Sequence, residues 1–198
     1  ALARKISKKG LHGLEYALGI PATVGGAIFM NAGAGSQEIV EVIQSVEFVS
    51  ERGEIQQIEK DQLSFDYRWS SFHQMKGVIT GGTFLFAEDS QAKETMSQLI
   101  KKRQLSQPLS AASCGCAFRN SELMPTGKLI ETMGLKGQKW GGIEVSKVHA
   151  NFIVNTGGGT AKEVLELLKH IEKRALSEYG VRLKREVHYI PYQEDSHA

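Results

Sequence analysis

Apolar residues alternate with four glycines, one proline and one amide between Gly19 and Gly33, in the sequence GIPATVGGAIFMNAG. Glycine lacks a Cβ atom, so this segment can adopt positive φ and bring main-chain N–H groups close to a planar or phosphorylated ligand. The segment therefore predicts a binding element for a nucleotide cofactor. The alternative is a buried turn between two packed strands, and the segment alone leaves both interpretations open.

Length and charge limit the class of protein. The 198 residues suffice for one large domain or two small ones. The formal net charge is +2, from 24 basic and 22 acidic side chains, which gives no general attraction for nucleic acid or an anionic membrane. No apolar run approaches the roughly 18 to 20 residues that span a bilayer, and no signal peptide opens the chain. We therefore expect a cytoplasmic protein without membrane insertion or a nucleic-acid partner.

The two cysteines, Cys114 and Cys116, are separated by one residue, which is too close for an ordinary structural disulfide. We therefore expect reduced thiols in a reducing compartment. A metal site would combine both thiols with His149, but no second cysteine pair or His-x-His spacing completes a ligand set. No metal is expected.

Hydrophobic periodicity predicts an α+β fold. The pattern indicates helices over 1–9, 90–103 and 161–179 and strands over 40–50, 54–58, 77–86 and 181–190. The helix over 1–9 begins without a capping residue, so we expect further chain before Ala1. A loop rich in Ser, Ala and Gly follows the helix over 90–103, and it predicts a domain boundary near residue 97.

The last helix and the segment after it carry the clearest local signals. Thr160 and Glu163 have capping-box spacing, and Gly180 follows the helix end. Apolar residues with helical spacing predict the buried stripe Val164, Leu168, Ile171 and Ala175. In the strand over 181–190, one face is expected to carry Val181, Leu183, Val187 and Tyr189. Glu186 is then expected on the other face.

Arg68 is the first candidate for chemistry, because the segment SFDYRWS at 64–70 surrounds it with aromatic and small polar residues. A guanidinium in such surroundings can bind a carboxylate through two hydrogen bonds. The alternative is a surface cation stacked on Tyr67 or Trp69.

Cys116 is the second candidate, because it follows a glycine in the small-residue segment SCGCAFRN at 113–120. An unperturbed thiol has a pKa of about 8.5, so near neutrality it keeps a proton that it can donate. Cys116 could thus act as an acid or a nucleophile. The alternative is a small buried apolar residue, as most free cysteines are.

Glu186 is the third candidate, since a carboxylate on the less apolar face of a strand can enter a cleft as a proton donor or an electrostatic partner. The alternative is an exposed salt bridge with Lys184 or Arg185. No Gly-x-Ser-x-Gly nucleophile elbow and no phosphate-binding P-loop sequence occurs, which excludes two common enzyme classes.

The short motifs gain weight from their order along the chain. They are GIPATVGGA at 19–27, MNAG at 30–33, FDYR at 65–68, GCAFRN at 115–120, GKLI at 127–130, GG at 141–142, HANFIVN at 149–155 and REV at 185–187. In this order they closely resemble the UDP-N-acetylenolpyruvoylglucosamine reductase family. The resemblance runs over nearly the whole chain and implies a flavoenzyme that makes UDP-N-acetylmuramate with FAD and NADPH, for bacterial peptidoglycan.

The resemblance also implies an architecture. Members of the family have a two-lobed FAD-binding domain, like that of vanillyl-alcohol oxidase relatives, followed by a substrate-binding domain. The glycine- and serine-rich loop that grips the FAD pyrophosphate belongs to the first lobe, which this chain does not include. We therefore expect residues 1–97 to form the second FAD lobe and residues 98–198 the substrate-binding domain.

By resemblance, Arg68 matches the catalytic arginine, Cys116 stands where the family usually has a proton-donating serine, and Glu186 matches the catalytic glutamate. Asn120 and Lys128 are expected to bind the UDP-sugar, whereas the loop from Thr156 to Gly159 departs from the family pattern. The expected FAD contacts are Gly19, Ile20, Thr23, Val24, Gly25, Gly26, Asn31 and Gly33.

The implied substrate is UDP-N-acetylglucosamine enolpyruvate, and the protein is expected to be a monomer that acts in cell-wall biogenesis, cell shape and cell division. Two alternatives remain open. One is another FAD-dependent oxidoreductase on the same scaffold with a different substrate. The other is a non-catalytic nucleotide-sugar-binding module.

Overall fold

A computed structural model describes residues 1–190 and divides into two compact units, Ala1–Lys102 and the chain from Arg103 onward. Both units combine helices with antiparallel sheets, so the expected α+β class is confirmed. The division falls inside helix α3 (Ala92–Ser106), the same helix in which the boundary near residue 97 is expected. No helix among the described residues has the length and apolar character to cross a membrane.

The first unit is built on a three-stranded antiparallel sheet in the order β5-β4-β8. Pairs of two-residue strands surround it. In chain order, its elements are α1 (Leu2–Lys8), β1 (Leu11–His12), α2 (Val24–Phe29), β2 (Gly33–Ala34), β3 (Gln37–Glu38), β4 (Ile43–Ser50), β5 (Ile55–Glu59), β6 (Phe65–Asp66), β7 (Trp69–Ser70), β8 (Gly77–Phe84) and β9 (Ala87–Glu88). Short 3-10 helices span Glu15–Ala17, Ile39–Glu41, Lys60–Gln62 and Ser71–Gln74.

The predicted helix over 1–9 and the three predicted strands of the first half are confirmed, with small differences at their ends. The strand expected from residue 40 begins at Ile43, because Ile39–Glu41 forms a capped 3-10 turn. Val46 and Phe48 of β4 are buried in the core of this unit together with Ile28 and Phe72.

The glycine-rich segment forms a short helix, α2, so the alternative of a turn between two packed strands is wrong. A Cβ atom on Gly25 would lie 3.0 Å from the Ile79 carbonyl oxygen, and one on Gly82 would lie 2.9 Å from Ile28 Cδ1. These two glycines therefore let α2 pack closely against β8. The Thr23 hydroxyl caps the helix, but the two glycines inside it disfavour helix formation, so packing on β8 supplies much of its stability.

The second unit packs two helices against a four-stranded antiparallel sheet in the order β10-β13-β12-β11. Its elements are β10 (Ala112–Cys116), α4 (Thr126–Thr132), β11 (Lys139–Trp140), β12 (Ile143–Val145), β13 (Phe152–Asn155) and α5 (Ala161–Tyr179). Helix α5 has the predicted bounds and its predicted capping box, and Gly180 has the left-handed φ of +68°. Leu168, Ile171 and Ala175 are buried, and Val164 is partly buried, as the predicted stripe requires.

The strand predicted over 181–190 is wrong. The segment joins the sheet only at the isolated bridge between Phe118 and Arg185, and Tyr189 is 58% exposed. The core of the unit does contact Val181, Leu183 and Val187. Their alternation therefore reports that one side of the segment is buried, and not that the segment pairs with a neighbouring strand. The residues from 191 onward, predicted as the end of the second domain, lie outside the described part.

Candidate active-site residues

Arg68 lies in the tight turn between β6 and β7 and has a left-handed φ of +52°. Only 19% of its side chain is exposed. Its Nη2 donates a hydrogen bond of 2.8 Å to the Gly33 carbonyl oxygen, and Nη1 lies 3.7 Å from Glu38 Oε1. Because a bulky residue in the left-handed region costs about 1 to 3 kcal/mol, the surrounding contacts must over-determine this conformation.

The Arg68 guanidinium also stacks on an aromatic ring, as one alternative from the sequence requires. Its Cζ lies 4.6 Å from the centroid of the Tyr67 ring. The Arg68 guanidinium therefore both stacks on Tyr67 and donates a hydrogen bond to Gly33. Stacking and tethering together fix the plane of the guanidinium, which is the property that recognition of a carboxylate needs.

Asn31 lies fully buried beneath this site, with a positive φ of 42°. Its Nδ2 donates hydrogen bonds to Glu38 Oε2, at 2.7 Å, and to the Asp66 carbonyl oxygen, at 3.0 Å. Its Oδ1 accepts from the Val40 N–H at 3.3 Å. The amide thus ties β3 to the turn that carries Arg68.

Gly33 makes this close arrangement possible. A Cβ atom there would lie 2.5 Å from the Gln37 carbonyl oxygen, 2.8 Å from Glu38 Cγ and 3.3 Å from Arg68 Nη1. Any side chain at this position would push the Glu38 and Arg68 side chains away from their places.

Tyr16 lies beneath the same network, buried, with its hydroxyl donating to the Ala32 carbonyl oxygen at 3.1 Å. Burial raises the pKa of this phenol far above its usual value, and the carboxylates of Glu41 and Glu38 raise it further, while Arg68 lowers it. The phenol therefore stays neutral.

The remaining predicted cofactor residues line the exposed start of α2. Gly19 has a φ of +90°, and the Thr23 hydroxyl accepts from the Gly26 N–H at 3.0 Å. Within the described part of the chain, the N–H groups of Val24 and Gly25 have no hydrogen-bond acceptor. Thr23 and Val24 are also exposed. Exposed donors on a short glycine-containing helix fit contacts to an oxygen-rich group such as FAD. The predicted contacts Ile20, Asn31 and Gly33 are less accessible.

Cys116 lies half-buried at the end of β10 in the second unit. The register of β10 against β13 shifts between Ser113 and Cys116, and Gly115 within that shift has a φ of +88°. The bulge breaks the regular alternation of side chains just before the thiol. Such bulges commonly redirect a side chain near a functional site.

The chain after Cys116 is held by one buried amide. Asn151 donates from Nδ2 to the Phe118 carbonyl oxygen at 2.7 Å and accepts at Oδ1 from the Phe118 N–H at 3.0 Å. The Ala117 N–H donates to the Asn151 carbonyl oxygen at 2.7 Å. Asn151 therefore continues the pairing of β10 beyond its end.

Glu186 lies beside this segment. Its N–H donates a 2.9 Å hydrogen bond to the carbonyl oxygen of Ala117, the residue after Cys116. The preceding residue, Arg185, binds the Glu172 carboxylate through Nε and Nη2. The structure thus brings the main chain of Glu186 to the residue that follows Cys116, in the second unit, while Arg68 belongs to the first unit.

Asn120 and Lys128, the predicted UDP-sugar contacts, are both exposed near the start of α4. Asn120 Oδ1 accepts from the Thr126 N–H at 3.1 Å, and Thr126 Oγ1 donates to the Arg119 carbonyl oxygen at 2.7 Å. These bonds fix the loop that follows Cys116. The contacts of Asn120 and Lys128 with substrate stay predictions.

The loop from Thr156 to Gly159 needs glycine for two reasons: Gly157 and Gly158 have positive φ values of +130° and +70°, and Gly159 is closely packed. A Cβ atom on Gly142 would lie 2.4 Å from the Gly159 nitrogen, and one on Gly159 would lie 2.5 Å from Ile143 Cγ2. The loop therefore packs directly on the hairpin turn between β11 and β12.

Sequence reasoning missed two residues of these sites, Glu38 and Asn151. Glu38 is one of many surface-type acids in the sequence, and its role depends on tertiary contacts that no motif reports. Asn151 lies inside the HANFIVN motif, where an amide within an apolar strand-like run was the available signal. Among the described residues, no cluster of three or more His, Cys, Asp or Glu side chains could hold a metal ion.

Comparison with known proteins identifies the class. Residues 1–59 match the sequence profile of an FAD binding domain, and residues 107–190 match that of the UDP-N-acetylenolpyruvoylglucosamine reductase C-terminal domain. The order of the two matches agrees with the two units and with the expected fold, a part of an FAD-binding domain followed by a substrate-type α+β domain.

The individual matches name one enzyme. A UDP-N-acetylenolpyruvoylglucosamine reductase of Chlamydia muridarum is 44% identical over 192 residues, which are 97% of this chain and 64% of that protein. The reductase of Protochlamydia amoebophila is 42% identical over 191 residues, 96% of this chain and 64% of its own length. A crystal structure of UDP-N-acetylenolpyruvylglucosamine reductase from Thermus caldophilus superimposes with a TM-score of 0.84 at 34% identity, covering 96% of this chain and 68% of that one.

The chain belongs to the UDP-N-acetylenolpyruvoylglucosamine reductase family, and the resemblance stated from its motifs is confirmed. It spans 64% of the length of the first curated relatives that it matches.

Proposed function

We propose that the full-length protein reduces the enolpyruvyl ether of UDP-N-acetylglucosamine enolpyruvate to UDP-N-acetylmuramate, using NADPH and FAD. Family membership supports this reaction, and the FAD binding domain match supports the flavin. The observation that carries the proposal is the 2.9 Å hydrogen bond from the Glu186 N–H to the Ala117 carbonyl oxygen, which lays the main chain at Glu186 beside the residue that follows Cys116. We further propose a cytoplasmic, monomeric enzyme of peptidoglycan precursor synthesis.

Arg68 is proposed to bind the carboxylate of the enolpyruvyl group. Adding hydride to carbon 3 builds negative charge on carbon 2 that delocalises into this carboxylate. A guanidinium whose plane is already fixed stabilises such charge without reorganising as the charge develops. The Gly33 and Tyr67 contacts of Arg68 supply that fixed plane.

Cys116 is proposed to donate its proton to carbon 2 of the substrate. The thiol is half-buried and follows the bulge at Gly115, and the segment beyond it is locked by Asn151. Glu186 is proposed to assist as an electrostatic and hydrogen-bonding partner in the same step. Proton transfer by a positioned group is typically worth about 10² to 10⁴ in rate.

The start of α2 is proposed to contact FAD, with Thr23, Val24 and Gly25 as the chain's main donors there. Bound there, FAD would supply the hydride-transfer chemistry between NADPH and carbon 3 of the enolpyruvyl group. The chain's own residues are proposed to bind the substrate carboxylate, through Arg68, and to supply the proton, through Cys116.

The test is NADPH oxidation by the full-length protein, followed by absorbance at fixed enzyme concentration, with mass spectrometry of the sugar nucleotide. We expect one NADPH consumed for each UDP-N-acetylglucosamine enolpyruvate converted, and a product heavier by two hydrogens. UDP-N-acetylglucosamine, which lacks the enolpyruvyl group, is the matched control and should give no turnover. NADPH oxidation that is independent of the enolpyruvyl substrate would identify a different oxidoreductase, and binding without turnover would identify a non-catalytic module.

A further inference from the structure

We propose that Glu38 is a positioning residue for Arg68 and that buried Asn31 holds Glu38 in place. The inference rests on the proposed function, in which Arg68 binds the substrate carboxylate. It assigns to the Asn31 side chain a task inside the protein, in contrast to the cofactor contact expected from the motif.

The two oxygens of the Glu38 carboxylate face different partners. Oε1 lies 3.7 Å from Arg68 Nη1, while Oε2 accepts the 2.7 Å hydrogen bond from Asn31 Nδ2. At 3.7 Å the contact with Arg68 is electrostatic rather than a hydrogen bond. Glu38 therefore sets the direction of the guanidinium through its charge. Asn31 sets the direction of the carboxylate together with the Glu41 N–H, which also donates to the Glu38 side chain.

The partial burial of both side chains makes this charge matter. The Arg68 side chain is 19% exposed and that of Glu38 is 31% exposed, so water screens the pair less than it screens a surface pair. Removing the negative charge would leave a desolvated guanidinium with less compensation. Arg68 would then lower its energy by turning toward solvent.

Asn31 is suited to the supporting role because it is fully buried and its amide bonds three separate groups, in Glu38, Asp66 and Val40. Asp66 lies two residues before Arg68 at the start of the same turn. The amide therefore fixes the carboxylate and the Arg68 backbone to one another. The absence of a Cβ atom at Gly33 leaves room for both side chains.

The test replaces Glu38 with Gln, which keeps the shape and an oxygen acceptor but removes the charge. In the full-length protein we expect kcat/KM for the enolpyruvyl substrate to fall by about 10- to 100-fold, because small displacements of a catalytic group have effects of this size. The variant Glu38→Asp should recover part of the loss. Glu178→Gln, which removes the acid of the exposed Arg174–Glu178 pair, is the matched control and should leave kcat/KM unchanged.

A second readout does not depend on turnover. The Arg68 side-chain resonances in a ¹⁵N NMR spectrum, assigned by their loss in Arg68→Lys, should be sharp in the wild type and broadened or shifted in Glu38→Gln, with the rest of the spectrum retained. Unchanged Arg68 resonances in Glu38→Gln would overturn the inference. If Arg68→Lys leaves turnover unchanged while Glu38→Gln moves the resonances, the catalytic role of Arg68 fails and the positioning by Glu38 stands.

The same inference predicts dependence between the two residues. Once Arg68 is replaced by Lys, adding Glu38→Gln should cost much less activity than it does in the wild type. An equal loss in both backgrounds would mean that Glu38 acts independently of Arg68, which contradicts the proposal.

Discussion

Arg68 and Cys116 are held in place in different ways. Arg68 sits between strands only two residues long, and its position depends on side-chain contacts with Glu38, Gly33 and Tyr67. Cys116 lies at the end of a four-stranded sheet, and its surroundings are held by main-chain pairing that Asn151 completes. The contrast teaches that a guanidinium can be fixed by a local polar network, whereas a thiol is fixed by the sheet that carries it.

The largest expected effect concerns proton donation by Cys116, at the end of β10. Cys116→Ala should lower the rate of flavin reoxidation by the enolpyruvyl substrate by about 10² to 10⁴, because it removes the proton donor. The substitution changes the volume of the side chain only slightly. Cys116→Ser should keep substantial activity, since a hydroxyl of similar reach replaces the thiol. Single-turnover absorbance of reduced flavin measures both variants. An alanine variant as fast as the wild type would remove Cys116 from the reaction.

The next effect concerns the stability of the sheet. Asn151→Ala should lower the free energy of unfolding of the second unit by about 2 to 4 kcal/mol, because both main-chain groups of Phe118 lose a partner inside the core. Urea unfolding followed by Trp140 fluorescence, in a Trp69→Phe background, reports on this unit. Asn155→Ala removes an exposed amide from the same sheet and should cost about 1 kcal/mol or less, since water replaces its bonds. Equal costs for the two amides would contradict the role given to Asn151.

The smallest expected effect is a pH dependence of the same unit. Burial lowers the pKa of His149, and Lys136 lowers it further, against a hydrogen bond and Glu131, which raise it. A ring whose folded pKa lies below its unfolded value contributes stability above the unfolded pKa, about 6.5, and that contribution is lost as the pH falls through the folded pKa. His149→Gln should therefore flatten the loss of stability between pH 7 and pH 5.

Exposed His188 provides the control for this measurement, because His188→Gln makes the same substitution in the same unit and leaves the His149 ring in place. Chemical unfolding at each pH gives the profile. A His149→Gln profile that matches the wild type would show that another group carries the acid sensitivity.

Local signals in the sequence were sufficient for the helices and strands that depend on them. Helix α5 follows from a capping box, an apolar stripe and a terminal glycine, all of which lie within its own residues. The strand predicted after this helix was wrong. Alternation reports which side of a segment is buried, whereas a strand also needs a neighbouring strand with which to form hydrogen bonds. Helix α2 was missed because its glycines mask the cap at Thr23 and much of its stability comes from contact with β8.

The candidate site residues also divide into those with local sequence signals and those that depend on tertiary contacts. Arg68 and Cys116 could be selected from residue type and immediate neighbours, and the motif order then identified the family. Glu38 could not be found, because its significance arises only when two-residue strands bring it to Asn31 and Arg68. Networks built from distant short segments leave no periodic trace in a sequence.

The central proposal is that Arg68 and Cys116 both serve the reduction of the enolpyruvyl substrate. A double-mutant cycle of Arg68→Lys and Cys116→Ala, measured as single-turnover flavin reoxidation by the enolpyruvyl substrate, tests it most directly. The account predicts that the double variant loses far less than the product of the two single losses, because residues that act as a unit are not additive. Two substantial single losses that multiply in full would contradict it.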